Sequence, residues 1–345
     1  MLIGIDASRT TAAQRTGTEN YSLHLIRELI TLGDKHHFRL YFNQAPQAGL
    51  LPDGAEHRII PFPRLWTHLR LSWEMLTRPP DLLFVPAHVL PLVHPQHSVV
   101  TVHDLGYFHY PEAHTLSQNI YLRWSTLHNA RSATGGAGRV LTDSEATRRD
   151  LIEHYDIPPA RIFVVYPGWD ENLAPVKDLA VLAAIRARYG LTIPYLLYVG
   201  TLHPRKNLVR LVQAFATALR SLPSAPGEEG RERAHLQSPT SNLQLVLAGQ
   251  RGWLYDEVFA EVRKLELTDR VVLTGYVPDS DLAGLLSGAL AFVFPSLYEG
   301  FGFPVLEAMA CGTPVVCSDV SSLPEVAGDA ALMVDPVDTE ALAVA

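Results

Sequence analysis

Two carboxylates stand in the segment PSLYEGFGFPVLEAMACGTPVVCSDVSSLPE (295–325), where seven residues separate Glu299 from Glu307. Between them lie a Gly-x-Gly turn (Gly300, Phe301, Gly302) and Pro304. Backbone N–H groups left free where a glycine turn enters a helix can meet an anion. A carboxylate just inside that helix accepts hydrogen bonds from paired hydroxyls. A diphosphate beside a ribose diol, as in a sugar nucleotide, offers both partners. The elements needed to hold such groups are legible around them. AFVF (291–294) reads as a buried parallel strand and VLEAMA (305–310) as a helix closed by Gly312, with TPVVCS (313–318) as the next strand. Pro304 fits the first helical turn, where its missing N–H costs nothing. The plain alternative is an ordinary strand–turn–helix with both glutamates solvated.

Basic groups of matching chemistry lie upstream. YVGTLHPRKNLVRLVQAF (198–215) reads as strand, loop and helix, with Asn207 expected as the helix cap. Arg205 and Lys206 then fall at the strand's carboxyl end, where open α/β sheets bind ligands. Lysine offers a diphosphate a point charge and arginine a planar fork. Two solvated cations at a helix start would instead oppose its dipole. In VVTVHDLGYFHYP (99–111), His103 and Asp104 end a predicted strand, where a histidine is as readily structural as functional. Gly17, in QRTGTENYSLHLIREL (14–29), would let backbone approach phosphates or simply turn the chain. Ser144 and Glu145 suit the cap of a helix. Asp279-x-Asp281 has the look of a metal-binding pair, but Asp279 also sits where an N-cap belongs. Trp66, Leu69, Trp73 and Leu76 form one helical stripe beside Arg64 and Arg70. Such a stripe is by default a core face, the alternative being an acceptor- or membrane-facing surface.

The 295–325 segment resembles the Glu-x7-Glu signature of retaining nucleotide-sugar glycosyltransferases of family 4, whose fold is GT-B. The similarity extends over nearly the whole chain. Many members carry an arginine directly after the glycine of the YVG-type strand and a lysine five residues later. Here Thr201 replaces that arginine, Lys206 matches the lysine, and Arg205 is the expected substitute. The resemblance implies an α/β architecture of two Rossmann-like, doubly wound parallel-sheet domains facing a central cleft. It assigns Arg205 and Lys206 to the diphosphate, Glu299 to the transferred sugar and Glu307 to ribose. His103 would reach the donor sugar and Gly17 its phosphates, while Gly300, Phe301 and Gly302 form the anion-binding turn. Tyr276 and Val277 lie on a strip that resembles the family's base-contacting backbone. The diphosphate is neutralised by basic residues and helix ends, so no metal and no cofactor are expected. The YVGTLHPRKN variant leans toward mannosyltransferase-like members and GDP-mannose.

Composition agrees with a globular chain of two domains: 345 residues, 47% hydrophobic and 19% charged. A net charge of −8 without a basic stripe argues against a nucleic-acid partner. Cys311 and Cys317 lack any CxxC or His-rich spacing and read as reduced core residues of a cytoplasmic protein. LIGIDASRT reads as a strand and loop, not a signal peptide, and no apolar run is long enough to span a membrane. Peripheral contact with the inner face of the membrane is compatible with a lipid-linked acceptor.

Strand-like runs alternate with helical ones throughout, the pattern of parallel sheets with crossover helices. In the first half they are 2–6, 38–42, 81–86, 98–104, 139–144 and 161–167. In the second they are 195–200, 243–249, 270–275, 289–295, 313–318 and 330–334. The expected division is 1–170, a linker at 171–194, and a nucleotide-sugar-binding domain at 195–345. SLPSAPGEEGRERAHLQSPTSN (221–242) reads as a disordered insertion and ATGGAG (133–138) as a smaller one. The last residues read as a helix starting at Asp338, so further C-terminal helices are expected. The reading is thus a retaining glycosyltransferase acting on a glycan or lipid-linked acceptor. A sugar-nucleotide epimerase or hydrolase of the same fold, or a non-catalytic two-lobed binding protein, remains open on sequence alone.

Overall fold

A computed structural model describes residues 1–12, 17–87, 89–135, 137–221, 243–252 and 255–345. The chain forms two compact units, Met1–Pro167 and Gly168–Ala345. In the first, the strands are β1 (Leu2–Asp6), β2 (His37–Phe42), β3 (Ala55–Ile59), β4 (Leu82–Val85), β5 (Ser98–Val102), β6 (Arg139–Thr142) and β7 (Ile162–Val164). They make one sheet in the order β3-β2-β1-β4-β5-β6-β7, parallel throughout. Its helices are α1 (Gly17–Leu32), α2 (Ser72–Thr77), α3 (Gly106–His109), α4 (Leu116–Gly135) and α5 (Glu145–Tyr155).

The second unit holds β8 (Tyr195–Val199), β9 (Gln244–Ala248), β10 (Val271–Gly275), β11 (Ala291–Phe294), β12 (Val315–Ser318) and β13 (Leu332–Val334). Their order is β10-β9-β8-β11-β12-β13, again all parallel. Between and after them run α6 (Leu179–Arg188), α7 (Leu208–Ser221), α8 (Asp256–Lys264), α9 (Asp279–Ser287), α10 (Phe303–Ala310), α11 (Leu323–Ala327) and α12 (Thr339–Val344). Both orders are doubly wound, reversing next to the unit's first strand, and such reversals place a crevice at the strands' carboxyl ends. Helices on both faces require near-continuous apolar strands, and all five residues of β9 are buried. Asp338 caps α12, its Oδ1 accepting from Ala341 N at 2.9 Å.

Each of the twelve expected runs contains a strand, and the expectation missed β3. Its sequence, AEHRI, lacks an apolar face because it is an edge strand paired only with β2. The ATGGAG stretch, expected as an insertion, instead continues α4 to Gly135. Residues 222–242 of the larger expected insertion lie outside the described residues.

The Trp66–Leu76 stripe also departs from its expected place in the core. Trp66 is buried and its Nε1 donates to Ile60 O at 2.7 Å. Leu69, Trp73 and Leu76 are exposed by 49%, 61% and 62%. The cause is a π-helical turn, Trp66–Leu71, leading into α2. A π turn adds a residue per turn and shifts the phase of all that follows. His68, Leu71, Ser72, Glu74 and Met75 therefore face inward instead.

Candidate functional site

In the second unit, strand order reverses between β8 and β11, which pair through Ala291↔Leu196 and Phe292↔Leu197. Past β8, a short 3-10 turn (Pro204–Lys206) carries both expected cations. Past β11, the loop to α10 carries Glu299. The two loops meet: Lys206 Nζ lies 2.5 Å from Glu299 Oε1, with side chains only 15% and 9% exposed. Lys206 Nζ also sits 5.0 Å above the Phe294 ring, and the Arg205 guanidinium 5.9 Å from the Tyr298 ring. Leu297 N donates to Arg205 O at 2.9 Å, tying loop to loop. Asn207, expected to cap α7, stands just before it, its carbonyl accepting from Leu211 N at 3.1 Å, and does more besides. Held in a left-handed conformation, it donates from Nδ2 to Pro295 O (3.1 Å) and Pro336 O (2.7 Å). It braces the two loops against the chain after β13.

The glycine turn is held by residues the sequence reading had not singled out. Ser321 Oγ accepts from Glu299 N at 2.9 Å, and Ser322 Oγ donates to Glu299 O (2.9 Å) and Phe301 O (2.6 Å). Both serines lie within the recognised segment, but two adjacent serines carry no periodic signal. Gly302 has φ 117°, and a Cβ there would come 2.7 Å from Leu323 Cδ2. Only glycine satisfies both limits. α10 starts at the next residue, with Pro304 in its first turn as expected.

Glu307 lies in α10, part-buried, and among the described residues its carboxylate has no hydrogen-bonding partner. Burial, then the nearby charges of Asp279 and Asp170, push its pKa up to about 7. Such a group is poised to accept hydroxyl donors that would favour its ionised form. Asp279 lies in the first turn of α9, three residues beyond the half-exposed Tyr276 and four after Gly275 (φ 71°). Val277, next to Tyr276, is part-buried.

The Asp279-x-Asp281 pair resolves differently from either expectation. The N-cap of α9 is Pro278, and no side chain caps that end. Asp281 is 3% exposed, accepts from Arg188 Nη1 at 2.6 Å through both oxygens and from Tyr189 OH at 2.8 Å. That carboxylate is a structural partner of α6.

In the first unit, His103 follows β5. Its Nδ1 donates to Asp143 Oδ2 at 2.6 Å, its Nε2 to Pro86 O at 3.0 Å, and Tyr21 meets the ring edge-on at 4.8 Å. Burial works against a charged ring, but the Asp143 carboxylate outweighs it and holds the imidazole above its ordinary pKa. Oxygens facing both ring nitrogens favour the charged form of the ring. Asp104 Oδ1 accepts from Gly106 N, and Ser144 caps α5 as expected, accepting from Thr147 N at 3.1 Å. Gly17 is the first residue of α1; residues 13–16 before it lie outside the described ones. The structure thus joins Arg205, Lys206, Glu299, Gly300, Phe301 and Gly302 past the carboxyl ends of the two central strands of the second unit's sheet.

Comparison with known proteins bears on the family and the fold. Residues 185–345 match the model "Glycosyl transferases group 1", and residues 15–173 match "Glycosyltransferase Family 4". The O-antigen chain mannosyltransferase B of Escherichia coli is 33% identical over 345 aligned residues, covering 95% of this chain and 85% of that protein. The O-antigen chain mannosyltransferase RfbU of Salmonella typhimurium is 28% identical, over 79% of this chain and 65% of its own. Among solved structures, sucrose-phosphate synthase from Thermosynechococcus elongatus superposes with a TM-score of 0.71 at 22% identity, covering 100% of this chain and 88% of its own. WaaG, a glycosyltransferase involved in lipopolysaccharide biosynthesis, gives 0.71 at 18% identity, covering 100% and 89%. At these identities the structures speak to the fold, which is GT-B. The chain belongs to the family 4, group 1 glycosyltransferases, and within them is mannosyltransferase-like.

Proposed function

We propose that this chain moves a sugar, with retention of configuration, from a nucleotide-diphosphate donor to a glycan or lipid-linked acceptor without a metal ion. GDP-mannose is the favoured donor. The observation that carries the reading is the Lys206–Glu299 pair at the point where strand order reverses. Arg205 and Lys206 take the diphosphate, with the α10 amides after Gly300–Gly302. Glu307 takes the ribose diol, the Tyr276–Val277 backbone the base, and Glu299 the transferred sugar. Gly17 and His103 are assigned to donor phosphate and donor sugar by the family resemblance alone.

Chemistry follows from charge. As the sugar–oxygen bond breaks, negative charge grows on the leaving diphosphate, and the fixed cations hold it more strongly than in the ground state. The acceptor hydroxyl attacks from the same face, and its proton passes to the departing phosphate oxygen. No protein nucleophile is required, so the remaining burden is alignment.

Mannose as the transferred sugar rests on the printed names of the two relatives. A UDP-sugar is the second reading, since the Anabaena HepE structure, of the same fold, holds UDP-glucose. A lipid-linked acceptor and peripheral membrane contact are favoured by exposed apolar side chains on two adjoining elements of the first unit. They are Leu69, Trp73 and Leu76 on one, and Ile120, Trp124 and Leu127 on α4. His68 links these elements, within 3.0 Å of Tyr121 OH and edge-on to Trp124. Among the described residues no helix is long and apolar enough to cross a membrane.

The test is transfer from GDP-mannose and from UDP-sugars to a mannose-ended acceptor, with product anomers read by NMR. An axial donor linkage kept in the product supports the proposal. Inverted product, acceptor-independent hydrolysis or epimerised sugar nucleotide would each overturn it.

A further inference from the structure

His109, Asp150 and His154 converge in the first unit, and the transferase reading gives none of them a role. Asp150 and His154 are four residues apart on α5, and side chains at that spacing share one helix face. His109 comes from the end of α3 and meets that face. Its Nε2 lies 2.9 Å from Asp150 Oδ2, and one ligand-type atom from each of the three residues lies within 4.8 Å of the others. His154 does not hang free. Its ring stacks on Phe108 with centroids 3.9 Å apart and planes 20° apart, and Arg123 lies over the same Phe108 at 4.8 Å. The neighbouring ring thus presets the plane of one imidazole toward the other, whose centroid is 5.8 Å away.

We propose that His109, Asp150 and His154 bind a borderline transition-metal cation, zinc being the ion the donor set fits best. Two imidazoles and one carboxylate suit Zn²⁺ and neighbouring ions, whereas Mg²⁺ and Ca²⁺ demand oxygen donors. Zinc bonds of roughly 2.0–2.2 Å put tetrahedral ligand atoms about 3.4 Å apart. From separations of up to 4.8 Å the ligand atoms must close by up to about 1.4 Å, while the His109–Asp150 pair at 2.9 Å opens by about half an ångström, within reach of χ rotations of partly exposed groups. The fourth position is left for water, the layout of an open site.

The site's placement suggests what it would do. α3 begins three residues after His103, and Thr147 of α5 donates to His103 O at 3.2 Å. A metal bridging α3 to α5 would clamp the two segments that already hold the His103–Asp143 pair. It uses none of the residues assigned to the donor, so its role would be structural or regulatory.

The full chain, freed of metal by chelator and desalted, is titrated with zinc sulfate alone. Calorimetry should give one ion per chain. Zinc at a hundredfold above its Kd should raise the melting temperature of the first unit's transition by roughly 5–10 °C. His154→Phe keeps the stack on Phe108 but removes a ligand, and Asp150→Asn removes the charge. Each should weaken zinc binding at least tenfold while the metal-free variants melt near the parent temperature. If a variant unfolds, His109→Gln, at the most exposed ligand, is measured in its place. Absence of zinc binding by the parent, or equal affinity in parent and variants, would overturn the proposal. Because the readouts are binding and melting, failure here is distinct from failure of the transferase reading.

Discussion

Glu307→Gln should stabilise the metal-free, donor-free fold and weaken donor binding at once. The wild-type carboxyl has a folded pKa of about 7 against an ordinary 4.5, so the folded chain holds this proton more tightly than the unfolded one. Acid therefore favours the fold at this site, and stability is lost as pH climbs from 4.5 through 7. Above 7 the loss amounts to at most ~3 kcal/mol, since solvent still reaches part of the group. A neutral amide of the same shape removes most of it. At pH 8 the variant should melt up to ~6–12 °C above the parent, and the two curves should converge near pH 4.5. Donor affinity should fall roughly 10–150-fold, the worth of charged hydrogen bonds to the ribose. For the parent, Kd should be about tenfold poorer at pH 6 than at pH 8, because ribose is taken by the ionised form. Differential scanning across pH, paired with calorimetric titration of GDP, reads both effects. Absence of any gain in melting temperature at pH 8 would refute the burial argument. A gain with unchanged GDP affinity would remove Glu307 from the site.

Arg205→Ala should cut catalytic efficiency while leaving the melting temperature nearly intact, measured as kcat/KM beside a thermal scan. Lys206→Ala leaves Glu299 buried without its cation and should also destabilise, by up to ~3–5 kcal/mol. Lys206→Ala with Glu299→Ala should recover much of that stability but not transfer; recovered transfer would sink the diphosphate assignment. In a His154→Phe background, transfer should survive excess EDTA, and activity lost to EDTA and restored by Mn²⁺ there would return a metal to the donor site. Asn207→Ala removes the side-chain donor to Pro295 O and leaves Pro336 O only Arg210 Nη1 at 3.3 Å, and should cost about 1–3 kcal/mol, seen as a lower denaturant midpoint.

Strands were the most legible part of this chain because burial on both faces writes them as apolar runs. β3 escaped for the converse reason, an edge position that demands nothing of its side chains. The glycine turn and its glutamates were legible because backbone conformation there restricts residue type, as at Gly302. Ser321 and Ser322 were not, since a hydroxyl that pins a loop from afar leaves no local pattern. The bracing roles of Asn207 and Asp281 were not legible. Each also bonds to segments about ninety residues or more distant in sequence, which no window can see. The Trp66–Leu76 stripe failed because a single π turn breaks the period on which the stripe was drawn.

The pair between Lys206 and Glu299 means that the cation is not idle before a donor arrives. If Lys206 turns to a diphosphate, Glu299 must relinquish it and take another donor in a nearly dry setting, where an unmatched carboxylate is expensive. Hydroxyls of a transferred sugar are such donors; a bare nucleoside diphosphate has none at that end. The exchange would therefore let the site tell a loaded donor from a spent one, and a product shorn of its sugar would hand the lysine back.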